Sequence, residues 1–216
     1  MNTTKSSVTD ETIEGPFTEA APSERIDRVA EALRSHNIEA VVVETGAEAR
    51  DRVLAMIPLG AEVHWGISAT LDAIGVTEAL LAEGRYDPVR PRYQAMDRAT
   101  QGREIRKVMA APDFMLASAQ AITDDGELVI ASASASQIGP IALSAGRVIL
   151  VVGSQKIVAD LDAGIRRARE HVLPYESARL QGLIGVPSLL AKLLVIFEEP
   201  RPGRVTVVVV REAVGV

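Results

Sequence analysis

Hydroxyls, free backbone N–H groups and a lysine gathered at strand ends are the ingredients of an anion site, and three stretches of this sequence supply them. In "HWGISAT" a strand end meets Gly66, then Ser68 and Thr70 at a helix start. That order suits a phosphate or a carboxylate, although Ser68 acting only as a helix cap accounts for the same pattern. "VVGSQK" repeats the strand–Gly–Ser–helix order through Gly153, Ser154, Gln155 and Lys156. A lysine beside a helix N-terminus is mildly unfavourable unless an anion sits between them, whereas Gly153 permitting a turn is the plainer account. The third stretch is "AITDDGELVIASASASQIGP". Thr123, Asp124, Gly126 and Glu127 gather acceptors at an Asp-Gly turn, and Ser132, Ser134 and Ser136 alternate with alanines before Gln137. If that run stays extended, its three hydroxyls share one face and a ligand can approach the backbone closely. A loop kept small by crowding helices reads equally well.

Other chemistries have little to work with. Asp124 and Glu127 are the carboxylates that could act as a base, while Glu198 and Glu199 precede a Pro-containing turn and read as a solvated hairpin end. No two of the three histidines have metal-ligand spacing, so no metal site is expected. His36 and His171 fall near helix ends, and only His64, beside the sole Trp, could line a site. No GxGxxG occurs, and "VVGSQK" is too short for a phosphate-binding P-loop. The segment from Arg85 to Lys107 carries seven Lys or Arg against three Asp or Glu, with Tyr86 and Tyr93 among them. A solvated face explains it more simply than a nucleic-acid surface.

Composition narrows the class further. Over 216 residues, 23 basic and 29 acidic side chains leave a net charge of −6, which argues against bulk attraction to nucleic acid or anionic lipid. No cofactor is predicted; without Cys this chain holds no iron–sulfur cluster, and a redox role would have to belong to a partner. Residues 1–22 are polar, lack an apolar signal core and read as a flexible tail. The longest apolar runs, "LLVIF" and "VTVVVV", are too short to span a bilayer, which points to a soluble, cytoplasmic protein without membrane partners.

The elements that would position these residues alternate. Ser23 is a candidate N-cap for a helix over 24–36, "IEAVVVE" a strand, and the pattern of Val53, Leu54 and Ile57 a helix ending before Pro58. "AEVHWG" should be a strand, with helical material over 68–74, 76–82 and 97–110 and a loop at "RYDPVRPRY". An apolar strand should lead into the Asp-Gly hairpin and Glu127–Ala131 out of it. "RVILVVG" reads as a buried strand, "SQKIVADLDAGIRRARE" as one long helix, and "LLAKLLVIF" with "RVTVVVVRE" as a C-terminal hairpin. The pattern predicts a single α/β domain over 23–216, a three-layer fold with a mixed sheet.

Taken in order, the "AIT-DDG-ELV" hairpin, the small-residue stretch ending in Ser-Gln, "VILVVGSQKIV" and the earlier "WGISATLDAIG" resemble the LUD-domain family, which includes lactate-utilisation protein C. The resemblance covers roughly residues 24–198 and is strongest over 117–174. It implies a fold like that of the NagB, ribose-phosphate isomerase and CoA-transferase group: a Rossmann-like three-layer sandwich with a mixed, mainly parallel sheet and an inserted antiparallel hairpin. It also implies a non-redox accessory role in lactate or other 2-hydroxy acid utilisation, beside iron–sulfur partner proteins. Relatives often carry Asn or His at Gln120 and Gly at Ala135. The expected partner is a small anionic metabolite held by the three stretches above, with Lys156 supplying charge, and a homo-oligomer is compatible with the apolar C-terminal elements. The alternative is an enzyme using the scaffold for CoA-ester or sugar-phosphate chemistry, with Asp124 or Glu127 as base.

Overall fold

A computed structural model describes residues 16–82 and 84–216. The first half runs α1 (Ser23–Ser35), β1 (Glu39–Val43), α2 (Gly46–Met56), β2 (Glu62–Trp65), α3 (Ala69–Ala73), α4 (Val76–Leu80), β3 (Asp87–Pro88), α5 (Val89–Gln94) and α6 (Gly102–Ala110). The second half runs β4 (Phe114–Ala117), β5 (Ala121–Thr123), β6 (Leu128–Ser132), β7 (Arg147–Gly153), β8 (Ile157–Val158), α7 (Leu161–Arg167), α8 (Leu173–Ile184), β9 (Lys192–Ile196) and β10 (Val205–Val210). A π-helical turn over Ala168–Val172 joins α7 to α8. Six strands form an all-parallel sheet in the order β1-β10-β7-β4-β2-β3. A second, mixed sheet has the order β8-β5-β6-β9. The predicted α/β class, mainly parallel sheet and inserted antiparallel hairpin are what is found.

The two faces of the main sheet bury separate cores. Alternation along β10 sends Val205, Val207 and Val209 toward α1 and the small sheet, and Val208 and Val210 toward α2, α3 and α4. Ile26, Val29 and Leu33 of α1 join Ile122, Leu128 and Ile130 on the first face. The other side of the small sheet, through Ala121, Val129 and Val158, packs on Ala163 of α7 and on Phe17.

Several expected elements resolve differently. The C-terminal hairpin is absent: β9 pairs antiparallel with β6 in the small sheet, while β10 lies between β1 and β7 in the large one. A Val-rich run buried on both faces is what a central parallel strand requires, and a hairpin partner would have left one face wet. The "RYDPVRPRY" segment forms β3 and α5, because Pro91 falls in the first helical turn, where a missing N–H costs nothing. "DFMLASAQAIT" is two strands in different sheets, broken at Ser118–Gln120. Ser23 is the first helical residue and Pro22 the cap position, with no side-chain cap bond. The long helix begins only at Leu161, where Asp160 accepts from the Ala163 N–H at 2.8 Å, because Ser154–Lys156 make a single 3-10 turn and Ile157–Val158 pair with β5. Of the predicted tail, residues 1–15 lie outside the described residues. Phe17 packs on His171 and beneath the Arg167 guanidinium, so the ordered domain begins before Ser23.

Candidate functional site

The carboxyl ends of parallel strands are where ligands gather in open α/β sheets, since the loops there diverge and leave a crevice. Here the segment after β2 (Ile67–Thr70), the segment after β4 (Ser118) and the turn after β7 (Lys156) converge on one cleft of about 190 Å³. The turn that follows β6 closes another side through Ser132, Ser134, Ser136 and Gln137, and α8 adds Glu176.

Lys156 is the centre of this arrangement. The side chain is 2 % exposed, and Nζ donates to Thr70 Oγ1 at 2.7 Å and to Ser118 Oγ at 3.1 Å. Burial, reinforced by the nearby Arg167 guanidinium and opposed by Glu176, holds the ammonium well below its usual pKa. Arg167 is itself buried, with Nη1 donating to the Gln120 carbonyl at 2.6 Å and Nε without a partner among the described residues. Burial lowers its pKa to about 10, which leaves it charged at neutral pH. His171 is pushed down by burial and by both of these cations. Glu176, the carboxylate lining the cleft, is tied to Arg179 at 2.7 Å. Glu176 is the acidic side chain among the lining residues, and the walls combine hydroxyls with apolar side chains such as Ile67, Val172 and Leu180.

The three predicted stretches divide sharply. Ser68 caps α3 through the Leu71 N–H at 3.3 Å, as the plainer reading had it, and α3 is a single turn too short to act as an anion-binding terminus. Thr70, two residues on, faces Lys156. Gly66 is not itself among the lining residues; it precedes them, and any side chain there would run into the Gln137 amide. The serine run is not extended: β6 ends at Ser132, and the chain turns through Ala135 at φ +65°. All three hydroxyls still line the cleft, because the turn wraps around it, with Ser134 Oγ donating to Ser136 Oγ at 3.1 Å. Gln137 Nε2 pins the turn to the Ala131 carbonyl at 3.2 Å. Ala135 occupies the left-handed region that glycine adopts freely.

The hairpin residues do not line this cleft. Thr123 Oγ1 accepts from the Glu127 N–H at 3.0 Å and donates to the Glu127 carboxylate at 3.1 Å, closing the turn on itself. Asp124 is held by Arg25 of α1 at 2.6 Å. Gly126, at φ +84°, brings the turn against the α1 backbone at Ala32 and Leu33. Asp124 therefore locks the hairpin to α1 and Glu127 closes the turn on Thr123, and neither is among the residues lining the cleft. From "VVGSQK", Ser154 accepts from the Ala21 N–H at 3.2 Å and donates to the Arg211 carbonyl at 2.6 Å. Gln155 Nε2 donates to the carbonyls of Val214 and Gly215 at 3.0 and 3.1 Å. Gly153 lets that segment pass, since a Cβ would sit 2.6 Å from the Val214 nitrogen. Ser154 and Gln155 thus fasten the chain on either side while Lys156 alone points inward.

Sequence reasoning missed Ser118, Gln120 and Glu176 as cleft residues. The strand-end rule applied to "FMLAS" would have found Ser118; Glu176 carries no local signal, because α8 reaches the cleft only through the fold. His64 is not among the residues lining the cleft: it is buried against α5, edge-on to Tyr93 at 5.7 Å between ring centroids. Burial, and then the charge of Arg90, lowers its pKa to about 4. Within the basic segment, Arg92 bridges Glu62 and Asp87 at 2.8 and 3.0 Å. Glu199 is buried in an ion pair with Arg204 at 2.8 Å, not solvated as its sequence context suggested.

Comparison with known proteins matches a family model, the LUD domain, over residues 26–210. The chain belongs to the LUD-domain family. Among solved structures, this LUD domain is similar to a DUF162 family protein from Deinococcus radiodurans, with a TM-score of 0.55 and 14 % sequence identity. The match covers 89 % of this chain and 99 % of that one, and at this identity it speaks for the fold alone. No curated protein matches the sequence. Among the described residues of the LUD domain, no helix is long and apolar enough to cross a membrane.

Proposed function

We propose that the protein is a non-redox accessory protein that binds a small anionic metabolite, a 2-hydroxy acid of the lactate type, in the cleft at Lys156. The observation that carries this reading is Lys156 Nζ itself: buried, facing the cleft, and held by two hydroxyls with no carboxylate bonded to it among the described residues. A carboxylate entering the cleft would meet the buried amine on one side and the more exposed serine hydroxyls on the other. The buried guanidinium of Arg167 favours the same sign of ligand. The resemblance to lactate-utilisation protein C supports a 2-hydroxy acid over other anions. In that setting a cytoplasmic chain without Cys would leave electron transfer to iron–sulfur partner proteins. The competing enzyme reading loses its candidate bases, because Asp124 and Glu127 are engaged in the hairpin and its contact with α1.

Thermal shift and calorimetry with L-lactate, a sugar phosphate and a CoA ester test the proposal. A ligand at about a hundred times its Kd stabilises by ~2.7 kcal/mol, or about 5–10 °C for a domain of this size. The expected result is such a shift with the small carboxylate, lost in Lys156→Met. A folded protein that shifts with none of the three defeats the reading.

A further inference from the structure

We propose that Lys156 Nζ is a nucleophile that forms a reversible imine with carbonyl-bearing carboxylates, of which a 2-oxo acid is the simplest. The inference rests on the reading of this cleft as the ligand site and adds the ligand's reactive group. An exposed lysine is a hydrated ammonium with no lone pair to offer, whereas one enclosed by protein is a candidate amine. Lys156 meets the geometric demands: its Nζ is buried, lines the cleft, and has as partners two hydroxyls, which can donate to a neutral amine as readily as they accept from an ammonium. A carboxylate partner would hold the amine protonated, and none is bonded to it among the described residues. Its lowered pKa, caused by burial and by Arg167, acts in the same direction.

The step balances without an oxidant. The amine lone pair attacks the carbonyl carbon, the carbonyl π pair moves to oxygen, and one N–H proton passes to that oxygen, giving a carbinolamine. The Thr70 and Ser118 hydroxyls, 3.4 Å apart and both on Nζ, are placed to relay this proton. A proton from solvent then lets the hydroxyl leave as water while the nitrogen lone pair forms the C=N bond. The product is a protonated imine, whose positive charge faces the ligand's own carboxylate. A 2-hydroxy acid has no aldehyde or ketone carbonyl and can only pair with Lys156, so both ligand classes use the same atom differently.

The test is reductive trapping. Wild-type protein is incubated at neutral pH with glyoxylate or pyruvate and reduced with borohydride, and intact mass and peptide mapping follow. The expected result is one adduct per chain, at Lys156, and none in folded Lys156→Met. Lys107 and Lys192, both exposed, are internal controls and should be labelled about tenfold less or worse. Trapping confined to the exposed lysines, or spread evenly over all of them, overturns the proposal. If Lys156→Met does not fold, the peptide map of the wild type still decides. Lactate binding without trapping removes the imine and keeps the anion site; trapping without lactate binding does the reverse; neither removes both.

Discussion

Replacing His64 by Leu should make the protein less sensitive to acid, and the burial of the imidazole sets by how much. The folded protein holds His64 at a pKa of about 4, against 6.5 for the free side chain, because burial and the Arg90 charge oppose protonation. Above pH 6.5 both folded and unfolded chains carry it neutral. As pH falls through 6.5 the unfolded chain takes up a proton that the folded one refuses, so stability declines until the folded imidazole also protonates near pH 4. The full window corresponds to about 3 kcal/mol, of which about 2 kcal/mol falls between pH 7.5 and pH 5. Urea titrations of wild type and His64→Leu at those two pH values measure it. The lost edge-on contact with Tyr93 changes absolute stability but is independent of pH, so it cancels in the difference between the two conditions. The variant should lose about 2 kcal/mol less than wild type on acidification. Equal losses in the two proteins would refute the reasoning, for they would mean that His64 titrates alike in the folded and unfolded chains.

Carboxylate binding should be linked to proton uptake, because an anion raises the lowered pKa of Lys156; affinity then falls as pH rises through the window between the free and bound values. Calorimetry in two buffers of different ionisation enthalpy should give different binding heats, and identical heats would show that Lys156 keeps its protonation state. Glu199→Ala strands a buried Arg204 and should cost about 3–5 kcal/mol in urea denaturation, where an exposed pair would cost under about 1 kcal/mol. Gly126→Ala places a side chain at positive φ, 2.8 Å from the Leu33 nitrogen, and should destabilise by at least about 1–2 kcal/mol while leaving ligand affinity of the folded protein unchanged. Ala135→Gly removes left-handed strain at the cleft turn and should change stability by about 1 kcal/mol or less, since the relief is offset by the glycine's extra freedom when unfolded.

Periodicity and punctuation in the sequence determined most of the elements. Apolar residues at helical spacing announced α1 and α2, and the Asp-Gly pair announced the β5–β6 turn, because these signals depend on neighbours within one turn or one strand pair. The chemistry-bearing types were also legible: Ser68, Thr70, the serine run and Lys156 stand at strand ends in sequence and around the cleft in space. What the sequence left open was which side chain at each strand end faces inward. Ser154, Gln155 and Lys156 are consecutive, yet the first two bond the Arg211 and Val214–Gly215 backbone and only the third enters the cleft. Asp124 and Glu127 looked as available as Lys156 until α1 came to lie against their turn. Likewise, nothing local in "RVTVVVVRE" distinguishes a hairpin arm from a central parallel strand. That choice is made by the partners on either side, β1 and β7, which are far away in sequence and come together only when both faces of the sheet are covered.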